Sequence, residues 1–97
     1  MNKWNKYTVN IGNVKQKTAV IVKYGSTIPL AIQHVSPGCT GCTKFIDYKD
    51  NTLTIKYDAP EFPKHILKSE SIINKEITVY YEDGTSDKLK FVGILNR

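Results

Sequence analysis

Apolar and polar residues alternate along most of this chain. Tyr7, Val9 and Ile11 are separated by Thr8 and Asn10, and Leu53, Ile55 and Tyr57 by Thr54 and Lys56. Ile77, Val79 and Tyr81 are separated by Thr78 and Tyr80, and Leu89 and Phe91 alternate with Lys88 and Lys90. A period of two sends successive side chains to opposite faces of an extended strand, so each run predicts a strand with one face in a core. Residues 17–23 are more continuously apolar (Ala19, Val20, Ile21, Val22), the pattern expected of a central strand. Residues 29–36 predict a further strand, with Pro29 at its start, where a missing N–H does least harm.

The punctuation between these runs agrees. Gly12-Asn13, Gly25-Ser26, Pro37-Gly38, Asp50-Asn51 and Asp83-Gly84 are pairs whose backbones favour turns. Glu82-Asp83-Gly84-Thr85 between two alternating runs is the clearest hairpin. About seven short strands at this spacing predict an all-β fold, an immunoglobulin-like β-sandwich, with residues 1–97 as a single domain. No amphipathic helix, repeat or low-complexity tract interrupts it.

One segment breaks the rhythm. Residues 58–74 contain Pro60, Pro63 and the apolar residues Phe62, Ile66, Leu67, Ile72 and Ile73. A connection this long in a small sandwich is expected to be functional. Its apolar side chains fit either a cover over the open end of the sandwich or a docking surface. Phe62, Ile66 and Leu67 are therefore candidate interaction residues. Trp4 joins them, because Trp is enriched at interface hot spots, although burial in the sandwich end fits it equally.

The net charge of +5 suggests nucleic acid until its make-up is considered. All of the fourteen basic residues except Arg97 are lysine, whereas base reading and bidentate phosphate contact favour arginine. Lysine on outward strand positions also discourages edge-to-edge aggregation. The charge thus argues against a nucleic-acid partner more than for one. No stretch approaches the ~20 apolar residues that cross a bilayer, and the basic start, Lys3 and Lys6, has no apolar run behind it. No membrane association is expected, and the chain is expected to stay in the cytoplasm where it is made.

The chemistry-bearing residues are few. Cys39 and Cys42 form a Cys-x-x-Cys pair inside Ser36-Pro37-Gly38-Cys39-Thr40-Gly41-Cys42-Thr43. A redox motif needs a low-pKa thiolate, usually at a helix N-terminus, and no helix is predicted here. A zinc site needs four ligands, and Cys39, Cys42, His34 and His65 complete that inventory without matching a common finger spacing. The third reading is a tight turn with two small, half-buried thiols. No nucleophile elbow, His-Glu-x-x-His or phosphate-binding glycine loop is present. The expectation is a protein that is not an enzyme and has no cofactor.

The order of features around the cysteines resembles a bacterial family of immunoglobulin-like, Hydin-related domains of unknown function. That family has a strand, a Gly-containing turn, an apolar strand, a "pL-x-I" strand and a Cys-Gly-Cys-Thr turn. Here the corresponding residues are Tyr7 to Gly12, Thr18 to Tyr24, Ile28-Pro29-Leu30-Ala31-Ile32 and Cys39-Thr40-Gly41-Cys42-Thr43. Thr40 is an extra residue between the cysteines, and family members are typically exported. A solitary domain of this type also resembles auxiliary (decoration) capsid proteins of tailed bacteriophages. That resemblance implies a structural protein of the virion, made in the host cytoplasm, whose partner is the major capsid protein or another virion subunit. The alternative is an immunoglobulin-like module that binds a protein or a carbohydrate. A small zinc-stabilised domain is the third class.

Overall fold

The alternation of the sequence becomes an alternation of burial. The structure, a computed structural model, describes residues 3–38, 42–65 and 67–97. It contains strands β1 (Thr8–Lys15), β2 (Ala19–Gly25), β3 (Ile32–Ser36), β4 (Thr43–Lys49), β5 (Thr52–Asp58), β6 (Glu70–Tyr81) and β7 (Ser86–Asn96). In β5, Leu53, Ile55 and Tyr57 are buried while the residues between them are half-exposed. β6 and β7 repeat the pattern with Ile73, Ile77, Val79 and Tyr81, and with Leu89, Phe91 and Leu95.

A four-stranded sheet in the order β1-β7-β6-β3 and a three-stranded sheet in the order β2-β5-β4 make up a two-layer, all-β, sandwich-like fold. Every neighbouring pair is antiparallel except β1 and β7, which run parallel. One apolar cluster draws on both sheets, and Tyr57 of one meets Phe91 of the other edge to face, with ring centroids 5.2 Å apart. Each fully buried aliphatic or aromatic side chain contributes about 1.5–3 kcal/mol by leaving water.

Local backbone chemistry sets the hairpins. Asp50 and Asn51 have φ of 52° and 59°, the two left-handed residues of a type I′ turn, whose twist matches that of β4 and β5. Between β6 and β7 the amide of Gly84 donates to the Tyr81 carbonyl (3.1 Å) and that of Tyr81 to the Thr85 carbonyl (2.9 Å). Asp83 Oδ1 accepts from both the hydroxyl and the amide of Thr85 (2.6 and 2.9 Å). Those two hydrogen bonds favour the carboxylate and hold Asp83 below its ordinary pKa.

β1 reaches β7 through a bulge. The register slips between Asn10 and Gly12, and the Asn10 Oδ1 accepts from the Gly12 amide at 2.8 Å. Gly12 then stands opposite Gly93, so close that a Cβ on Gly93 would lie 2.6 Å from the Gly12 carbonyl oxygen.

Several strands differ from expectation. Gly12-Asn13 makes no turn but a bulge inside β1, which continues to Lys15, and β3 begins at Ile32 rather than at Pro29. β2 is an edge strand, not a central one: Val20, Val22 and Tyr24 turn inward, and Ile21 faces solvent. β4 carries no alternation because its register slips between Phe45 and Asp47, leaving four consecutive residues exposed. β6 begins at Glu70, since residues 70–74 pair with residues 92–96 of β7, so the irregular connection spans only residues 59–69.

Candidate interaction surfaces

Trp4 lies in the core, 1% exposed, rather than at a surface. Its Nε1–H donates to the Tyr81 hydroxyl (2.8 Å), which donates in turn to Asp87 Oδ2 (2.8 Å). The indole also meets Tyr48 edge-on at 6.2 Å. Burial, then the Asp87 hydrogen bond, pushes the Tyr81 hydroxyl well above its ordinary pKa. Burial does the same to Tyr24, whose hydroxyl donates to the Lys90 carbonyl at 2.6 Å, and to Tyr57. These shifts belong to core tyrosines and do not converge on a cleft. Among the described residues no buried side-chain nitrogen or oxygen lacks a partner.

Phe62 is also core. Its amide donates to Gln16 Oε1 (2.8 Å), and the Arg97 guanidinium lies 4.7 Å from the ring centroid, so Phe62 closes one end of the sandwich beneath a cation. Ile66 lies outside the described residues. Leu67 is 97% exposed. Of the proposed interaction residues, then, the structure leaves Leu67 on the surface and draws Trp4 and Phe62 inside.

Among the described residues the proposed metal ligands form no cluster. His34 sits on β3 with its ring stacked on Tyr80 (centroids 5.9 Å apart, planes at 22°), and His65 is exposed in the 59–69 connection. Cys42 is half-buried, packs on the core and is disulfide-bonded, not a thiol as the sequence suggested. The other cysteine of the sequence, Cys39, lies with Thr40 and Gly41 outside the described residues. Among the described residues no group of three or more His, Cys, Asp or Glu side chains is placed to hold a metal ion, and no helix is long and apolar enough to cross a membrane.

Two surfaces remain that periodicity did not single out. On the outer face of the four-stranded sheet, Ile72 is 80% exposed directly opposite Ile94, and both line an open concavity of about 770 Å³ with Lys68, Ser69, Glu70 and Ser71. Leu67 stands on the segment leading into that strand. The second surface is the flank where β3 and β4 end their sheets. A groove of about 400 Å³ runs there between Leu30, Ile32 and Val35 on one side and Phe45 and Tyr48 on the other. Both surfaces were legible only as exposed β-branched or aromatic residues at positions whose facing depended on register.

The lysines do not select a face. Lys23, Lys44, Lys49 and Lys56 project from the three-stranded sheet, and Lys88 and Lys90 from the four-stranded one. Neither a protein-family model nor a curated protein sequence matches the chain.

Proposed function

We propose that this chain is a non-enzymatic, immunoglobulin-like module that binds a protein partner through the outer end of its four-stranded sheet. The cross-strand pair of exposed Ile72 and half-buried Ile94, with the exposed Leu67 on the segment leading into β6, carries the reading. Isolated apolar residues on a surface are ordinary, but an aliphatic pair flooring a concavity is costly to hydrate and is released from water by a protein surface. A carbohydrate site would call for an aromatic platform there, and the lining has no aromatic residue: two isoleucines, two serines, Lys68 and Glu70. Strand order supports the immunoglobulin-like assignment. With the strands lettered A to G in chain order, β2-β5-β4 reads B-E-D and β7-β6-β3 reads G-F-C, the two sheets of a constant-type sandwich, with the first strand placed on G.

The test is crosslinking capture with the wild-type chain and with Ile72→Lys/Leu67→Lys. Both sites are solvent-facing, so the variant should keep its stability within about 0.5 kcal/mol. A partner captured stoichiometrically by the wild type and lost by the variant supports the proposal. Equal capture by both refutes it. Recovery of that partner in fixed, high copy on particles would make it a shell subunit, the partner implied by the resemblance to phage decoration proteins.

A further inference from the structure

β4 is an unpaired edge, and its residues have an arrangement that its own sheet does not explain. Among the described residues nothing pairs with its outer side. Phe45 and Ile46 are 43% and 49% exposed in the middle of the strand. Lys44 is directly opposite Lys56 of β5, a like-charge pair that costs stability in isolation. Lys56 is relieved by Asp58 at 3.7 Å, whereas neither Lys44 nor Asp47 has an ion-pair partner among the described residues.

The bulge makes this pattern two-fold symmetric. Cys42 bonds to β5 through its carbonyl, which accepts from the Asp58 amide. At the other end Lys49 and Thr52 flank the type I′ turn and form a hydrogen-bonded pair. Bonded and non-bonded pairs alternate along an antiparallel ladder, so the residues next inward, Thr43 and Tyr48, turn their backbone N–H and C=O to the free side. In a regular strand, residues five apart face opposite ways. The extra residue in the bulge reverses that parity, so Thr43 and Tyr48 share the core face and Lys44 and Asp47 share the solvent face.

We propose that a second copy of this chain docks on this edge, the two β4 strands pairing antiparallel about an axis between Phe45 and Ile46. Thr43 then lies opposite the partner's Tyr48, and the two exchange backbone hydrogen bonds. Lys44 lies opposite the partner's Asp47, and Asp47 opposite the partner's Lys44, on the same face. Phe45 meets the partner's Ile46, which covers the exposed apolar centre. The three-stranded sheet continues across the axis, and the Ile72 surface on the opposite sheet stays free.

Sedimentation of the full chain tests this, with K44D, D47K, the K44D/D47K double variant and an equimolar mixture of the two single variants. The wild type is expected to dimerise reversibly. Each single variant places like charges opposite each other at two symmetric positions and should weaken the dimer by about tenfold or more, while the double variant restores it. The two single variants, mixed, should form a heterodimer, because every opposed pair is again of opposite sign. Both keep a net positive charge, so general attraction does not account for that result. Circular dichroism confirms that all of them fold. A wild type that remains monomeric to about 1 mM, where only contacts weaker than about 4 kcal/mol escape detection, overturns the proposal. So does a dimer indifferent to either single reversal, or a mixture that stays monomeric.

Discussion

The close approach of β1 to β7 can be tested at one atom. In Gly93→Ala the new Cβ would lie 2.6 Å from the Gly12 carbonyl oxygen and 2.8 Å from Ile11 Cγ1. An ordinary approach is about 3.5 Å, so the carbonyl must retreat by most of an ångström. That carbonyl is backbone in a parallel ladder, and β1 has few contacts except with β7. Overpacking a tight site costs about 1–3 kcal/mol, and stretching one or two ladder bonds adds about 0.5–1.5 kcal/mol each. The expected loss is about 2–4 kcal/mol, which for a domain of this size lowers Tm by roughly 10–25 °C. Gly12→Ala is the comparison. Nothing lies within 4 Å of a Cβ there, but φ is +73°, so the cost is conformational, about 1–2 kcal/mol less a small gain from the unfolded chain. Urea unfolding followed by the fluorescence of Trp4, the sole tryptophan, measures both, and hydrogen exchange locates the loss in β1. A Gly93→Ala chain within about 0.5 kcal/mol of wild type, or one more stable than Gly12→Ala, would refute the steric reasoning.

Two other outcomes follow from the buried hydroxyls. Tyr81→Phe leaves the Trp4 Nε1–H without its acceptor and Asp87 without its donor, and should cost about 1–3 kcal/mol in urea unfolding followed by circular dichroism. Trp4→Phe should cost less in that background than in the wild type, because their shared hydrogen bond is already gone. Stability should also fall in alkali. Tyr24, Tyr57 and Tyr81 have folded pKa values raised above the unfolded value near 10, so their contribution is complete below about pH 10 and is lost as pH rises toward the folded values. Thermal melts from pH 8 to 11.5 should be flat and then decline, and a Tm that rises above pH 10 would contradict the assignment.

Where one face met the core and the other met water, the fold was open to reading from sequence. Leu53-Thr54-Ile55-Lys56-Tyr57 announces a strand because its period survives intact. The Asp50-Asn51 and Asp83-Gly84 turns announce themselves because few other residues accept their backbone angles. β4 was hidden because a bulge destroys the period that reveals a strand. The start of β6 reads as loop because Glu70, Ser71 and Asn74 carry little β-propensity, and only pairing with the far end of β7 holds them extended. Ile21 reads as internal because its neighbours on both sides are apolar, but in a two-layer fold the outer face of β2 meets solvent, and Ile21 lies on that face. The same limit applied to the surfaces. Trp4 and Leu67 have equal claim to a surface in the sequence, and what separates them is that a hydroxyl from Tyr81, 77 residues away, reaches the indole N–H.

The parallel pairing of the first and last strands also determines how the domain responds to tension. Thr8 is level with Lys90 and Lys15 with Asn96, so the chain enters the shared ladder at one end and leaves it at the other. A pull on the two termini therefore slides β1 along β7 and loads the ladder hydrogen bonds together. Antiparallel terminal strands would place both ends side by side and part the bonds one by one. Ahead of β1, the amide of Asn5 is bonded to the Gly25 carbonyl and that of Thr27 to the Lys3 carbonyl, each at 2.8 Å. Those bonds must give way before force reaches the ladder. A domain strung between two attachment points in this way resists extension by shear, and its lifetime under load is set by how fast that ladder ruptures rather than by its equilibrium stability.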